Sequence, residues 1–341
     1  MEITVPELNT ENALAFADII NKIDVDSVDE MCFIANMKWV RPFGMLLTSA
    51  ALKRLRNKHP SIHFRMQCDE NRNGVSYAAH MGFFKSISES LPLGNLPGAA
   101  IGNDNYLPIT KLNLIQIHDA EIAAGEYSSL GDCIERESRR LAQIICRSNI
   151  EMQALMTYLI REILRNIPEH ANESTAWICG QYWADHTAEI AIVDEGIGIK
   201  NSLRRNIVHQ EYITDDASAL SYALKAGISQ AFDPRRGNRS HDEWANSGYG
   251  LYMVSEICKE LNGTFCIASG EKYIRVENNT VAFGSTHFEG TAVKMTFSTN
   301  RLTSSHEIIQ HIASRGEQEA RTIRNAFKNA SHPSKGLILQ L

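Results

Sequence analysis

No apolar run in this sequence approaches the roughly 18 residues that a bilayer span needs, and no basic-then-apolar segment opens it. The expectation is therefore neither a membrane helix nor a secretory leader. There is no basic excess either. Lys and Arg number 34 against 40 Asp and Glu, for a net charge of −6 and a pI near 6.1, which argues against a general nucleic-acid binder. The seven cysteines (Cys32, Cys68, Cys133, Cys146, Cys179, Cys258 and Cys266) show no C-x-x-C spacing and lie mostly in apolar runs. An odd, scattered set excludes a disulfide framework and points to reduced core thiols of a cytoplasmic protein. Absent too are G-x-x-x-x-G-K-[ST] and the protein-kinase signature set, so the P-loop route and a kinase of that signature are excluded. Neither internal repeats nor low-complexity segments occur.

The chain is 341 residues long, with 43% hydrophobic and 22% charged residues, enough for two soluble domains of ordinary size. Its organising stretch is Leu159 to Asn172, Leu-Ile-Arg-Glu-Ile-Leu-Arg-Asn-Ile-Pro-Glu-His-Ala-Asn. At about 100° per residue, Met156, Ile160, Ile163, Leu164 and Ile167 share one side of a helix, and Glu162, Asn166, Glu169 and His170 share a neighbouring arc. Taken alone, that division equally describes a surface helix with its polar side in water. Pro168 lacks an N–H and should kink or end the regular helix, which leaves the placement of Glu169 and His170 open.

Three further stretches follow. An apparent strand, Trp177 to Trp183, leads to Ile190-Ala-Ile-Val-Asp-Glu-Gly-Ile-Gly-Ile199, then Asn246-Ser-Gly-Tyr-Gly-Leu-Tyr-Met-Val254, then the strand Gly290-Thr-Ala-Val-Lys-Met-Thr-Phe297. Asp194 leaves the apolar strand Ala188–Val193, and a carboxylate there is costly unless partnered; alone, it also reads as a cap of the next turn. Gly248 and Gly250 open a helix over Tyr249–Leu261, and a glycine-rich helix N-terminus suits phosphate.

In this order the four stretches resemble the nucleotide-binding boxes of the GHKL superfamily: histidine-kinase ATP domains, anti-sigma-factor serine kinases, Hsp90 and MutL. The resemblance covers residues 130–300 and implies a Bergerat-type α/β sandwich, a mixed sheet on helices, that binds ATP with Mg²⁺. By that resemblance Asn166 is the Mg²⁺ ligand, and Glu162, in the Glu-x-x-x-Asn spacing, orients or deprotonates the attacking water. The alternative for Glu162 is a surface carboxylate. The resemblance further implies that Asp194 accepts the adenine amino protons, that Gly196 and Gly198 let the backbone approach the base, and that Thr291 supports the same end. Gly248, Tyr249, Gly250 and Leu251 meet the phosphates, and His170 contacts phosphate or stabilises its helix end. Residues 199–246 stand where the family has a mobile lid, with Arg235, Arg236 and Arg239 as candidate γ-phosphate contacts. No His-Glu-x-x-x-Pro occurs, which disfavours sensor-kinase autophosphorylation.

Residues 1–100 read as strand and helix in alternation: a helix at Ala13–Ile23, a strand at Met31–Asn36, a turn at Val40–Met45, a helix through Leu55, a strand at Ile62–Gln67 and a helix at Val75–Phe84. The order resembles a STAS domain, although Pro42, Phe43 and Gly44 stand where phosphorylatable members place a serine, and Thr48 and Ser49 lie a turn later. That implies a docking unit rather than a phospho-switch; a generic α/β cap is the alternative. Residues 101–129 read as a linker or crossover with a strand at Lys111–His118, 130–148 as a patterned helix, and 301–341 as a helical C-terminal tail. The expected architecture is α/β (α+β) in two domains. The expected function is a slow Mg²⁺-dependent ATPase that switches partner binding; the alternatives are a serine/threonine kinase of the anti-sigma type and a non-hydrolysing gated module. The expected partners are ATP/ADP and a protein held through the STAS-like unit, with a homodimer as an option and with no nucleic acid and no membrane.

Overall fold

Two sheets organise the chain, one of three strands and one of five. The structure is a computed structural model and describes residues 1–126, 128–146, 149–171, 173–233, 247–302 and 304–335. The first sheet is built from β1 (Glu2–Val5), α1 (Thr10–Lys22), β2 (Glu30–Ala35), α2 (Pro42–Lys58) and β3 (His63–Cys68). Its strands run in the order β1-β2-β3 and pair parallel. Parallel neighbours need a crossover between them, and α1 and α2 supply it. Asn9 caps α1 by accepting from the Asn12 N–H, and Pro42 occupies the first position of α2, where its missing N–H costs nothing. Two short helices, α3 (Asn73–Met81) and α4 (Phe83–Ile87), complete this unit.

The second sheet begins where a linker was expected. Within residues 101–129, β4 (Tyr106–Asn113) forms an edge strand and α5 (Leu114–Ala123) follows it. The strand expected at Lys111–His118 stops at Asn113, because that side chain accepts the Gln116 N–H and starts the helix. Next come α6 (Leu130–Ile145), opened by a reciprocal Ser129–Asp132 cap, and α7 (Ile150–Asn166). A π-helical turn, Ile167–Ala171, contains Pro168 and ends the regular helix as its sequence required. The chain continues through β5 (Thr175–Tyr182), β6 (Thr187–Asp194), α8 (Gly198–Arg204), a 3₁₀ turn at Ile207–Tyr212, α9 (Asp216–Ala223), α10 (Gly250–Glu260), β7 (Thr264–Glu277) and β8 (Thr280–Ser298). A 3₁₀ turn at Thr299–Arg301, then α11 (Ser305–Thr322) and α12 (His332–Lys335), close the described chain.

The strand order β4-β5-β6-β8-β7 is antiparallel throughout. The α/β class and the two units agree with expectation, but the mixed sheet expected in the second unit is a correction. The β5–β6 and β7–β8 pairs are hairpins, and a hairpin is antiparallel by construction; β8 then adds to β6 in the same sense. At the β7–β8 turn Asn278 takes φ 52°, a left-handed conformation that asparagine tolerates.

Strand alternation gives the five-stranded sheet two apolar faces. Ile178, Ile190, Ile192, Ile267, Val293 and Met295 share a core with α6, α7 and α10. On the opposite face Cys179, Ala191, Val193, Cys266, Ala268 and Ala292 share a core with Leu14, Phe43 and Leu46 of α1 and α2. The first unit therefore docks on the back of the second sheet. Polar contacts fix the docking: the Phe43 N–H donates to the buried Glu189 carboxylate of β6 at 3.0 Å, Lys294 donates to Thr10 at 2.8 Å, and Lys53 pairs with Glu195. Thr48 and Ser49 are buried in α2, so that turn offers no exposed hydroxyl. The C-terminal tail packs on the second unit, with Ile309 and Ile312 in its core. All seven cysteines are free thiols. Among the described residues no helix is long and apolar enough to cross a membrane.

Candidate functional site

A cavity opens between α7, the N-terminus of α10 and the helix-bearing face of the sheet. Its walls are largely apolar, formed by Ile163, Ile167, Ile192, Leu203 and Val293 among others. The hydrophobic faces of α7 and β6 that build the core also build this slot, because both elements run past the core edge.

Asp194, at the last position of β6, reaches the cavity wall and is only 6% exposed. Its Oδ1 accepts the Gly196 N–H at 2.9 Å, and Thr291, opposite it in the β6–β8 register, lines the cavity too. Burial pushes the Asp194 carboxyl up to about 6, while hydrogen bonds from Gly196 and Thr291 pull the other way. The result is a carboxylate with fixed donors on one side, aimed into an otherwise apolar slot.

Gly196 does not line the cavity; it seats the turn after β6 against the π-helical turn, where a Cβ would meet the Ala171 carbonyl oxygen at 2.3 Å. Gly198 (φ +76°) and Gly248 (φ +72°) both line the cavity in left-handed conformations that favour glycine. Leu251 lines it as well, and so does Gly250, which opens α10. Tyr249 turns away instead. It is fully buried, and its hydroxyl donates to the Phe327 carbonyl at 3.1 Å, because the C-terminal segment covers that side of α10.

On α7, Asn166 lines the cavity and its amide nitrogen donates to the Glu162 carbonyl at 2.9 Å, so its side-chain oxygen has the acceptor role. Glu169 is exposed, 3.7 Å from Arg165. His170 belongs to the π-helical turn, but its side chain lies outside the described residues, as do Arg235, Arg236, Arg239 and Asn246. The described part of the segment read as a lid is a packed wall: Ile199, Ser202, Leu203 and Ala223 of α8 and α9 line the cavity.

Glu162 is not a surface carboxylate and does not line the cavity. It is 3% exposed and meets Arg161 Nη2 at 2.9 Å, while Arg161, itself fully buried, also meets Glu135 of α6 at 3.1 Å. Burial disfavours the Arg161 charge, but Glu162 and Glu135 more than offset it and hold the guanidinium above its usual range. Gly250, on the cavity wall, adjoins Glu162: a Cβ there would lie 3.1 Å from Glu162 Oε2. Sequence reasoning missed this Arg161–Glu162–Glu135 cluster. It also missed Ser269, which accepts the Ile199 N–H at 3.0 Å and donates to the Gly290 carbonyl at 2.6 Å. Two opposite charges adjacent on one helix, Arg161 and Glu162, were the only available signal for the first; nothing marked the second.

Residues 152–301 match the family model described as histidine kinase-, DNA gyrase B-, and HSP90-like ATPase. The match supports a GHKL-type ATPase domain over that span, with ATP binding and chemistry of the ATPase or kinase kind. Searches of curated proteins and of solved structures find no match.

Proposed function

We propose that the cavity binds ATP together with Mg²⁺, and that the site transfers the terminal phosphoryl group slowly to water with Glu162 as the base. The observation that carries this reading is the placement of Asp194 and Thr291 on an apolar slot whose lining also includes Asn166 and the glycine-rich start of α10. The slot suits a flat apolar base with an amino edge for Asp194. Residues 248–251 present helix N-terminal N–H groups to phosphate.

Among the described residues no cluster of three His, Cys, Asp or Glu side chains is arranged to hold a metal. Magnesium keeps waters and phosphate oxygens and takes few protein ligands; Asn166, on the cavity wall, is the side chain that offers it an oxygen. When bound, the ion neutralises phosphate charge. This chain's own residues do the rest: Asp194 and Thr291 orient the base, the apolar wall excludes water around it, and Glu162, held by Arg161, receives the proton of the attacking group. The STAS-like reading of residues 1–100, with a protein partner docked there, belongs to the same proposal. Its support is the alternation of β1, α1, β2, α2 and β3, and the docking of α1 and α2 on the sheet directs such a partner to other surfaces of that unit.

The test is a titration of the full chain with ATP and Mg²⁺, following binding and ADP release together. Asp194→Asn should weaken binding roughly 10- to 100-fold, the worth of a hydrogen bond to a charged group. Glu162→Gln should bind ATP normally and turn over roughly 100-fold more slowly or worse. Gln is preferred to Ala because it keeps a partner for the buried Arg161. Unchanged binding in the first variant sinks the site, and unchanged turnover in the second sinks the base.

A further inference from the structure

A hydroxyl of the C-terminal segment meets Glu162 from outside its own helix. Ser334 Oγ donates to Glu162 Oε2 at 3.3 Å across 172 positions of chain, and Ser334 is 2% exposed. The contact is built, not incidental. Tyr158, four residues before Glu162 on α7, donates its hydroxyl to the Ser334 carbonyl at 3.0 Å. Ser331 Oγ donates to Ser334 Oγ at 3.1 Å, and the Ser331 N–H donates to Ser247, beside Gly248, at 2.8 Å. Further along the chain, Lys335 Nζ pairs with Glu317 at 2.6 Å. Earlier in the segment the Phe327 N–H donates to the Gly227 carbonyl at 2.8 Å. The segment thus runs from Gly227, which itself bonds Gly248, to Glu162, and presents the Ser334 oxygen with the Ser331 hydroxyl as a donor behind it and the Glu162 carboxylate in front.

We propose that Ser334 is a phosphoryl acceptor of this site in cis: the chain modifies its own C-terminal segment. The proposal rests on the ATP reading above and names the acceptor for it. In the step, Ser334 Oγ forms the new bond to the γ-phosphorus and the bond from that phosphorus to the β,γ-bridging oxygen breaks. ADP leaves with the electron pair, and the hydroxyl proton passes to Glu162. Once Glu162 has released that proton to solvent, the product places about −1.5 to −2 charge against its carboxylate. Like charge expels the segment and clears the base, and the site then meets water.

Two readouts test this on the full chain. First, ATP binding with Mg²⁺ is measured alone, and the protein is then incubated with γ-labelled ATP and mapped by mass spectrometry. The expected result is covalent label on Ser334, in a fraction independent of protein concentration, lost in Ser334→Ala and kept in Ser331→Ala. Second, without nucleotide, amide exchange over residues 323–335 should quicken at least 10-fold in Ser334→Asp relative to the parent chain. ATP bound without label at Ser334, label at another residue, labelling that rises with protein concentration, or unchanged exchange in Ser334→Asp would each overturn the proposal while leaving the ATP reading standing. Failure to bind ATP overturns that reading, and this proposal with it.

Discussion

The two faces of the five-stranded sheet are built from alternate residues of the same strands, yet one is closed off by α1 and α2 and the other opens into the candidate site. On β6, Ile190 and Ile192 point to the helices α7 and α10, while Ala191 points to α2. Across β7 and β8 the same division sets Ile267, Val293 and Met295 against Cys266, Ala268 and Ala292. Small side chains let helices approach closely and fill the space with backbone, whereas large branched ones hold helices off and leave a slot. The open face has a second property that the closed one lacks. Its helix layer carries the buried charge cluster of Arg161, Glu162 and Glu135, where the closed face carries Glu189 bonded to the start of α2. The face that bears the slot and the docking face thus differ by side-chain volume and by how buried charge is held, a three-residue cluster on one and a carboxylate bonded to a helix start on the other.

The largest expected effect breaks the charge cluster. Arg161→Met removes the cation that Glu162 and Glu135 share and leaves their carboxylates with Arg165 at 3.9 Å and Arg139 at 3.5 Å. Removing one member of a buried pair costs about 3 kcal/mol or more. Urea denaturation should show that loss; a change below about 1 kcal/mol would mean that the cluster is solvated in practice and the helix layer is not distinguished by buried charge.

The next effect is a pH dependence confined to the open face. The folded Asp194 carboxyl is raised to about 6 from the ordinary 3.8 by burial. The folded state therefore binds this proton more tightly than the unfolded chain. Its contribution to stability is fully present below about pH 4 and is lost as pH rises through about 6, a change of about 3 kcal/mol at most. Measured as wild type minus Asp194→Asn, which cancels the other carboxyls, stability should fall over that window and then level off. Nucleotide affinity should run the other way, strengthening as the carboxyl ionises and gains acceptor capacity. A flat difference curve would place Asp194 in water and remove the contrast between its wall and the rest of the slot.

What the sequence revealed follows from range. Asn166, Asp194, Gly248 and Thr291 each sit in a short local pattern, an amphipathic arc, a strand exit or a glycine turn, and the fold brings those four patterns to one cavity. Pro168 ended its helix through a purely local rule. Strand β7 escaped notice because its register shifts around Gly270 break the alternation that marks a strand. The burial of Arg161 and Glu162 escaped for another reason: a polar arc on a helix predicts water only if nothing covers it, and here α6 and the C-terminal segment do. The same distance in sequence hides Glu189, whose partner is the start of α2, 146 positions earlier.

The smallest effects come from a pair of glycines, each in the first turn of a helix that packs on one face of the sheet. Gly44 lies in the first turn of α2, and a Cβ there would meet the Leu8 carbonyl oxygen at 2.1 Å and its carbon at 2.4 Å, both backbone atoms. Nothing flexible can give way, so Gly44→Ala must move α2 off β1's following turn. Overpacking of this kind costs about 1–3 kcal/mol, partly offset by the better helix propensity of alanine. Gly250 lies in the first turn of α10, and its added Cβ would meet Glu162 Oε2 at 3.1 Å, the far end of a side chain. That carboxylate can shift by a few tenths of an ångström, so Gly250→Ala should change stability by only about 0.5 kcal/mol. The price appears in chemistry instead: a displaced Glu162 slows turnover while ATP still binds. Denaturation and turnover measured on both variants separate the faces. Equal stability losses would show that the open face is as tightly filled as the closed one, and unimpaired turnover in Gly250→Ala would show that the position of Glu162 does not matter to the reaction.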